Sequence, residues 1–288
     1  HRVAKTKQLF GALSRRGPHR VLRGDLGFAG LPGTVYTPES GMNLPGVAFG
    51  HDWLQGVARY NGTLEHLASW GIVAAAPNTE TGIAPSVLNL SFDLGTTLDI
   101  ITGVRLGPGK ISVHPTKLGL VGHGFGASAA VFTAAGLGSS ANPLKAVAAV
   151  FPTASKPDAD QPAAGLRVPG LILNAPGTEL TIQSNAIELA AAWRTATVRT
   201  VAKAEPGGLA EGFRLTRLVG LPGPDRRTQK TVRALLTGYL LFQLTGDKTY
   251  KDFADADVVL PKTSLADPAA DAFEAPALED KIVALLKG

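Results

Sequence analysis

Short apolar runs alternate with longer amphipathic stretches along most of the chain, from about residue 20 onward. The apolar runs are rich in Val, Ile, Leu and Ala, which is typical of buried strands, and the longer stretches repeat at helical spacing. Strands are predicted at 23–30 and 33–37, as an opening hairpin, and at 46–51, 71–77, 117–122, 146–151, 170–174 and 198–204. Helices are predicted at 61–70, 91–104, 125–135, 182–194 and 226–245. This alternation predicts an α/β fold with a single doubly wound, mostly parallel sheet and helices on both faces.

The rest of the chain is divided by composition. Residues 206–227 are rich in Gly and Pro and are predicted to form a long loop. We therefore expect a basic N-terminal arm over 1–23, one domain over 24–262, and a C-terminal helical tail over 263–288.

The positive charge of the chain is concentrated at its start. Seven of the 28 Lys and Arg residues lie in 1–23, which contain no acidic residue. The remainder of the chain has 21 basic and 23 acidic residues and therefore a net charge of −2. A nucleic-acid-binding body needs a basic face on the fold itself, so we expect no nucleic-acid partner. An anionic surface or a protein partner would be contacted through 1–23.

The arm has two interpretations. A solvated or loosely docked segment is favoured, because chain termini are commonly poorly ordered. The alternative is a short amphipathic helix, with Val3, Leu9, Phe10 and Leu13 on its apolar side, docked on the body or on an anionic surface. No apolar run is long enough to span a bilayer, and 1–23 lack the apolar core of a secretory signal. The compartment stays open between the cytoplasm and secretion.

Two residue types limit the available chemistry. The chain has no Cys, which excludes disulfides, thiolate metal sites and a Cys nucleophile. The six His residues lie at 1, 19, 51, 66, 114 and 123, and none of their spacings is typical of a zinc site. We therefore expect no metal and no cofactor.

The most informative motif follows the predicted strand 117–122. Residues 122–126 read Gly-His-Gly-Phe-Gly, and an Ala-rich helical stretch comes next. A strand, a Gly-x-X-x-Gly turn and a helix form a nucleophile elbow, in which the central side chain is raised above the sheet. The central residue is Gly124, which has no side chain to react. Ser128, one helical turn further, is predicted to be an ordinary helix residue.

With this motif, the chain resembles the α/β-hydrolase superfamily, and particularly the dienelactone-hydrolase-like group that includes bacterial polyester hydrolases and cutinase-like lipases. The resemblance covers roughly 21–255. It is carried by Gly-Val-Ala-Phe-Gly-His-Asp-Trp at 46–53, by Leu-Ala-Ser-Trp-Gly-Ile-Val-Ala-Ala-Ala-Pro-Asn-Thr at 67–79, by the elbow, by Val-Pro-Gly-Leu-Ile-Leu-Asn-Ala at 168–175, and by Leu-Thr-Gly-Asp-Lys-Thr-Tyr-Lys-Asp-Phe at 244–253.

The resemblance implies a nucleophile, acid and base in that order along the chain. The nucleophile position falls on Gly124. The acid position falls near Gly177 or Thr178, with Glu179 close by, and the base position falls at Gly208 or Leu209. No His follows position 123, so the usual base is missing. A single engineered serine-to-glycine change would not also remove the base and displace the acid, so this pattern indicates natural loss of the triad.

The backbone part of the site is expected to remain. By resemblance, the amides of Phe125 and of a residue near His51 or Asp52 would be oxyanion-hole donors, able to bind a carbonyl or an anion. Trp53 and His123 lie next to these positions. Gly124 is equally compatible with a tight turn that faces no ligand. Core packing is the default expectation for all the tryptophans, which are Trp53, Trp70 and Trp193.

Three hypotheses about function follow. The favoured one is a catalytically degenerate hydrolase that binds a small or lipid-like ligand, or a protein partner, in the former active-site crevice. The second is a hydrolase with a non-standard acid/base set drawn from His51, Asp52, His123 and Glu179. The third is a structural or interaction protein in which the crevice is empty and the arm or tail binds.

Overall fold

The computed structural model describes residues 2–177, 184–212 and 223–265. Their strands form one nine-stranded sheet in the order β1-β2-β4-β3-β5-β6-β7-β8-β9. The strands are β1 (Val21–Asp25), β2 (Gly33–Pro38), β3 (Gly41–Gly50), β4 (Val73–Pro77), β5 (Ile111–His123), β6 (Ala146–Val150), β7 (Gly170–Asn174), β8 (Ala196–Val201) and β9 (Thr263–Leu265).

The six strands from β4 to β8 in the sheet order are parallel to one another, and the antiparallel strands lie at the two edges. The predicted α/β fold with a mostly parallel sheet is therefore confirmed. β1 and β2 form the predicted antiparallel hairpin. Its first strand ends earlier than predicted because the Asp25 side chain accepts a hydrogen bond from the Gly27 amide and starts a 3-10 turn.

In the described part of the chain, seven α-helices pack on the two faces of the sheet. They are α1 (Arg2–Leu13), α2 (Asn61–Ser69), α3 (Val87–Gly103), α4 (Phe125–Gly136), α5 (Asp160–Ala164), α6 (Ala186–Ala192) and α7 (Arg226–Thr245). Alternate strand residues face opposite cores. Val47 and Phe49 belong to the core that contains residues of α1, α2 and α7, whereas Ala48 belongs to the core that contains residues of the other four helices.

The N-terminal arm is a docked helix, so the favoured expectation of a solvated arm is wrong. Phe10 and Leu13 of α1 are buried in the core on the α7 side. The Arg2 guanidinium forms ion pairs with Asp252 and Asp255, at 2.6 and 3.0 Å. Burial of the apolar side of the helix outweighs the tendency of a terminus to fray.

The end of the described chain also differs from expectation. Thr263–Leu265, predicted to begin the helical tail, form β9 and pair with β8. Three residues leave no recognisable period in a sequence, which is why this strand and the five-residue α5 were not predicted. The remainder of the tail, 266–288, lies outside the described residues. Across the described ranges, no helix is both long and apolar enough to cross a membrane.

Candidate functional site

The elbow lies at the carboxyl end of β5, near the middle of the sheet, where open α/β sheets place their ligands. β5 ends at His123 and α4 begins at Phe125, with Gly124 between them. The backbone of Gly124 has φ 57° and ψ −115°, a conformation that side-chain-bearing residues adopt only under strain. Its amide donates to the Val150 carbonyl at 2.9 Å, and its own carbonyl accepts from the Thr153 amide at 3.2 Å.

A second glycine allows the helix to approach the sheet. A Cβ at Gly126 would overlap the backbone of Gly50 at the end of β3. The flanking glycine of the motif is therefore needed for close packing of α4 on β3, independently of any ligand.

The Asp52 carboxylate occupies the space above Gly124. Its Oδ1 accepts hydrogen bonds from the Phe125 amide at 2.9 Å and from the Trp53 amide at 2.7 Å. A Cβ added to Gly124 would overlap this carboxylate. The Phe125 amide thus points to the place expected of an oxyanion-hole donor, but the group that it binds belongs to the protein.

The second donor is expected from a residue near His51 or Asp52. The Asp52 amide donates to the Tyr60 hydroxyl oxygen at 3.0 Å, so it does not face the elbow. The amide of the next residue, Trp53, donates to the carboxylate above Gly124. The sequence indicates that Asp52 is part of the site because it lies next to an expected donor. It does not indicate that the Asp52 carboxylate accepts hydrogen bonds from the donors.

His123 is fully engaged beneath the elbow. Its Nδ1 lies 2.8 Å from the Tyr60 hydroxyl, and its Nε2 lies 2.6 Å from the Pro206 carbonyl oxygen. Since a carbonyl only accepts, Nε2 carries the proton and Nδ1 accepts from the hydroxyl. The ring is 1% exposed and also packs edge-on against Tyr60 and Phe151.

His51 is completely buried at the end of the neighbouring strand. Its Nδ1 lies 2.8 Å from the Asp52 carbonyl oxygen and its Nε2 lies 2.6 Å from the Thr79 carbonyl oxygen. Both nitrogens therefore contact backbone acceptors. The imidazole joins the loops that follow β3 and β4, and neither nitrogen is directed at the space above Gly124.

The acid region of the resemblance is only partly described. β7 ends at Asn174, and Gly177 lies three residues further with φ 74° and an exposed backbone. Thr178 and Glu179 lie outside the described residues. The non-standard acid/base set can therefore be examined only for His51, Asp52 and His123.

The segment in which the resemblance expects the base is part of the core. Pro206–Leu209 form a 3-10 turn, in which Gly208 and Leu209 are buried. A Cβ at Gly208 would lie 2.8 Å from the Asp225 Cβ. The Gly208 carbonyl accepts from the Asp225 amide at 3.0 Å and from Gln229 Nε2 at 3.1 Å. An imidazole at 208 would require this turn to move.

Ser128 and the tryptophans have different outcomes. Ser128 is buried in α4 and its hydroxyl donates to the Thr153 carbonyl at 2.7 Å, as expected for a helix residue. Trp193 is fully buried, and Trp70 packs at the edge of the core. Trp53 is 49% exposed, so the expectation of core packing is wrong for this residue. Its Nε1 donates to the Ile83 carbonyl at 3.1 Å.

Exposed apolar side chains adjoin the elbow. Leu54 is 46% exposed and Ile83 is 80% exposed. We call Asp52, Trp53, Leu54 and Ile83 together the elbow surface. Sequence reasoning singled out only the first two, although an apolar pair such as Trp53-Leu54 just beyond a strand end is a signal for the third.

Positive φ values occur in three loops at this edge of the sheet. Leu54, Glu80 and Phe151 have positive φ values of 57°, 54° and 45°. Each follows the carboxyl end of a strand. Left-handed conformations of such residues are costly and recur near functional sites. Among the described residues, no group of three or more His, Asp or Glu side chains is arranged to hold a metal ion.

No protein-family model matches the chain, and no curated protein matches it significantly. The function must therefore be argued from the geometry of the elbow.

Proposed function

We propose that this protein is a catalytically degenerate α/β-hydrolase that binds a ligand at the elbow surface without hydrolysing it. One observation carries the proposal. The Asp52 carboxylate lies where the nucleophile's side chain would be and uses the amide donors that would stabilise an oxyanion. The strand, turn and helix around Gly124 support the relationship to hydrolases, because this is the structural context of a nucleophile elbow.

Acyl transfer needs three groups that the described part of the site does not offer. The reaction requires a nucleophile, a base that removes its proton, and donors that are free to bind the developing oxyanion. Gly124 has no side chain. The base region contains buried Gly208 and Leu209, and the Phe125 amide is already bound to Asp52. Loss of all three functions favours binding over catalysis.

Catalysis by the remaining titratable groups is the weaker candidate. A general base needs a lone pair within reach of the substrate. The Nδ1 lone pair of His123 is used by Tyr60, and both His51 nitrogens contact backbone carbonyls. Each histidine therefore has a structural partner for each ring nitrogen.

The exposed side chains support a binding role. Trp53, Leu54 and Ile83 present apolar area next to the elbow, where the fold places ligands. Exposed apolar patches of this kind mark ligand or partner sites. A small or lipid-like ligand, or the apolar part of a protein partner, would be bound through this area.

The test is a hydrolysis assay combined with a binding assay. The purified chain should neither hydrolyse short or long p-nitrophenyl esters nor react with a fluorophosphonate probe. Gly124→Ser, alone or together with Asp52→Ala, should remain inactive because no base is supplied. Ester turnover that is abolished by His51→Ala or His123→Ala in folded protein would overturn the proposal. Native mass spectrometry of the gently purified protein should reveal a bound ligand that Trp53→Ala releases.

A further inference from the structure

The Asp52 carboxylate reverses the polarity that the sequence predicts for the elbow. Free amide donors would attract a carbonyl or an anion. In the structure, both amide donors that face the elbow are bound to Asp52 Oδ1. What the elbow offers to a ligand is therefore an acceptor with a negative charge.

The second carboxylate oxygen is available. No described residue forms a hydrogen bond with Asp52 Oδ2, and the side chain is only partly buried. An ionised carboxylate oxygen accepts hydrogen bonds and cannot donate them. A ligand carboxylate or phosphate would be repelled here, whereas an ammonium group would be attracted.

The indole of Trp53 adds a second feature that favours a cation. The Nε1–H edge of the ring is bound to the Ile83 carbonyl, so the donor of the indole is already used. The ring is half-exposed, which leaves aromatic surface for a ligand. The face of an indole attracts ammonium groups through its ring quadrupole.

The charges of the surrounding segments act in the same direction. The loops of the elbow surface, at 50–56 and 78–86, contain Asp52 and Glu80 but no Lys or Arg. Helix α4, which begins at the elbow, has no charged residue. These two loops thus carry a net negative charge even though the chain as a whole is positive, and negative charge beside a site favours the approach of a cation.

The aliphatic part of the ligand follows from the neighbours of Trp53. Leu54 and Ile83 are exposed and provide apolar area without a hydrogen-bonding side chain. We propose that the elbow surface binds an amphiphilic organic cation, with its ammonium group at Asp52 and Trp53 and its apolar chain on Leu54 and Ile83. This inference rests on the proposed function and specifies its ligand class.

The experiment compares three probes with alkyl chains of similar length on the full chain. Octyltrimethylammonium, octanoate and octanol are titrated at the same ionic strength by calorimetry and by tryptophan fluorescence. The ammonium probe should bind about tenfold more tightly than octanoate, which corresponds to about 1.4 kcal/mol. Its binding should change the fluorescence of the wild-type protein but much less that of Trp53→Leu.

Two variants and a control test the assignment of the charge. Asp52→Asn keeps an oxygen that can accept from the amides of Trp53 and Phe125 but removes the charge, so it should lose most of the preference for the cation. Asp99→Asn removes an exposed carboxylate from α3 and should leave that preference unchanged. A cooperative thermal unfolding transition shows that each variant is folded. The ratio of the dissociation constants of octanoate and the ammonium probe for the wild-type protein tests the proposal without any variant.

The outcomes separate this inference from the proposed function. Equal binding of the ammonium probe and octanoate, or an equal effect of the Asp99 and Asp52 substitutions, would overturn the cation assignment. Octanol binding that Trp53→Leu weakens would still support a ligand site at the elbow. Ester turnover without binding of any probe would overturn the proposed function as well.

Discussion

The Asp52 carboxylate fills the volume that a side chain at Gly124 would occupy. Oδ1 of Asp52 is held by the amides of Trp53 and Phe125, and any Cβ at position 124 would overlap it. The two residues are therefore a matched pair. A serine introduced at position 124 could therefore not occupy this volume unless the Asp52 carboxylate moved away from the two amides.

This relationship predicts that Gly124→Ser destabilises the protein. The substitution places a side chain at φ 57° and displaces Asp52 from its two donors, and strain of this kind costs about 1 to 3 kcal/mol. Denaturant unfolding of Gly124→Ser and of Gly124→Ser with Asp52→Gly measures it, and the double variant should recover part of the loss. Gly136→Ser is the matched control, since a Cβ there meets no atom within 4 Å. Equal stability of Gly124→Ser and Gly136→Ser would contradict the pairing.

Acid should weaken the contact between α1 and α2. Burial lowers the pKa of His66 to about 4, with a further lowering by Arg233, while the hydrogen bond to the Leu13 carbonyl opposes the shift. An unfolded histidine has a pKa near 6.5, so the unfolded chain binds the proton more readily below that pH. The stability that depends on neutral His66 is complete above pH 6.5 and is lost as the pH falls toward 4. The loss is at most about 3 kcal/mol.

The measurement is the free energy of unfolding between pH 7 and pH 4.5. His66→Gln removes the titrating group and should flatten this part of the profile, whatever its effect at pH 7. His114→Gln, at a partly exposed position in β5, serves as the control. If the unfolding free energy of His66→Gln falls with pH as steeply as that of the wild type, another group is responsible for the loss.

Much of the fold could be predicted because it depends on local pattern. The bounds of β7 and α7 agree with those predicted from hydrophobic runs and helical spacing, and α7 begins after an Asp225 side chain that accepts from the Thr228 amide. The elbow could also be predicted from the sequence, because close packing within one strand, turn and helix requires its glycines. These features need no knowledge of distant residues.

The parts that could not be predicted depend on contacts between distant residues. Asp52 reaches an amide 73 positions away, and Arg2 pairs with Asp252 across 250 positions. No spacing along the chain indicates which carboxylate fills the elbow or which acids hold α1. The exposure of Trp53 has the same origin, because it depends on where the loop after β4 lies.

A buried arginine holds the segment before β9. Arg199 is fully buried in β8, where burial lowers its pKa to about 10 against the opposing effect of Asp255, and its guanidinium donates to the carbonyls of Val258 and Asp255 at 2.5 and 2.8 Å. Arg199→Met would leave two carbonyls without these donors and should cost about 2 kcal/mol. Urea unfolding and limited proteolysis near 255–260 measure the effect, with exposed Arg194→Met as the control. Unchanged stability and proteolysis would show that the segment is held by its other contacts.

The Tyr60 hydroxyl couples the loop of Asp52 to His123. It accepts from the Asp52 amide and donates to His123 Nδ1, so Tyr60→Phe removes a partner from two groups, one of them on a buried ring. Leaving a buried polar group unsatisfied costs about 1 to 3 kcal/mol, and we expect the free energy of unfolding to fall by about 2 kcal/mol.

Nitrogen NMR should assign the Nε2–H tautomer to His123 in the wild type and show a changed Nδ1 signal in Tyr60→Phe. Tyr250→Phe is the control, since the Tyr250 hydroxyl forms no hydrogen bond with a described residue. If Tyr60→Phe leaves both the Nδ1 signal and the stability unchanged, the hydroxyl does not link these two parts of the site.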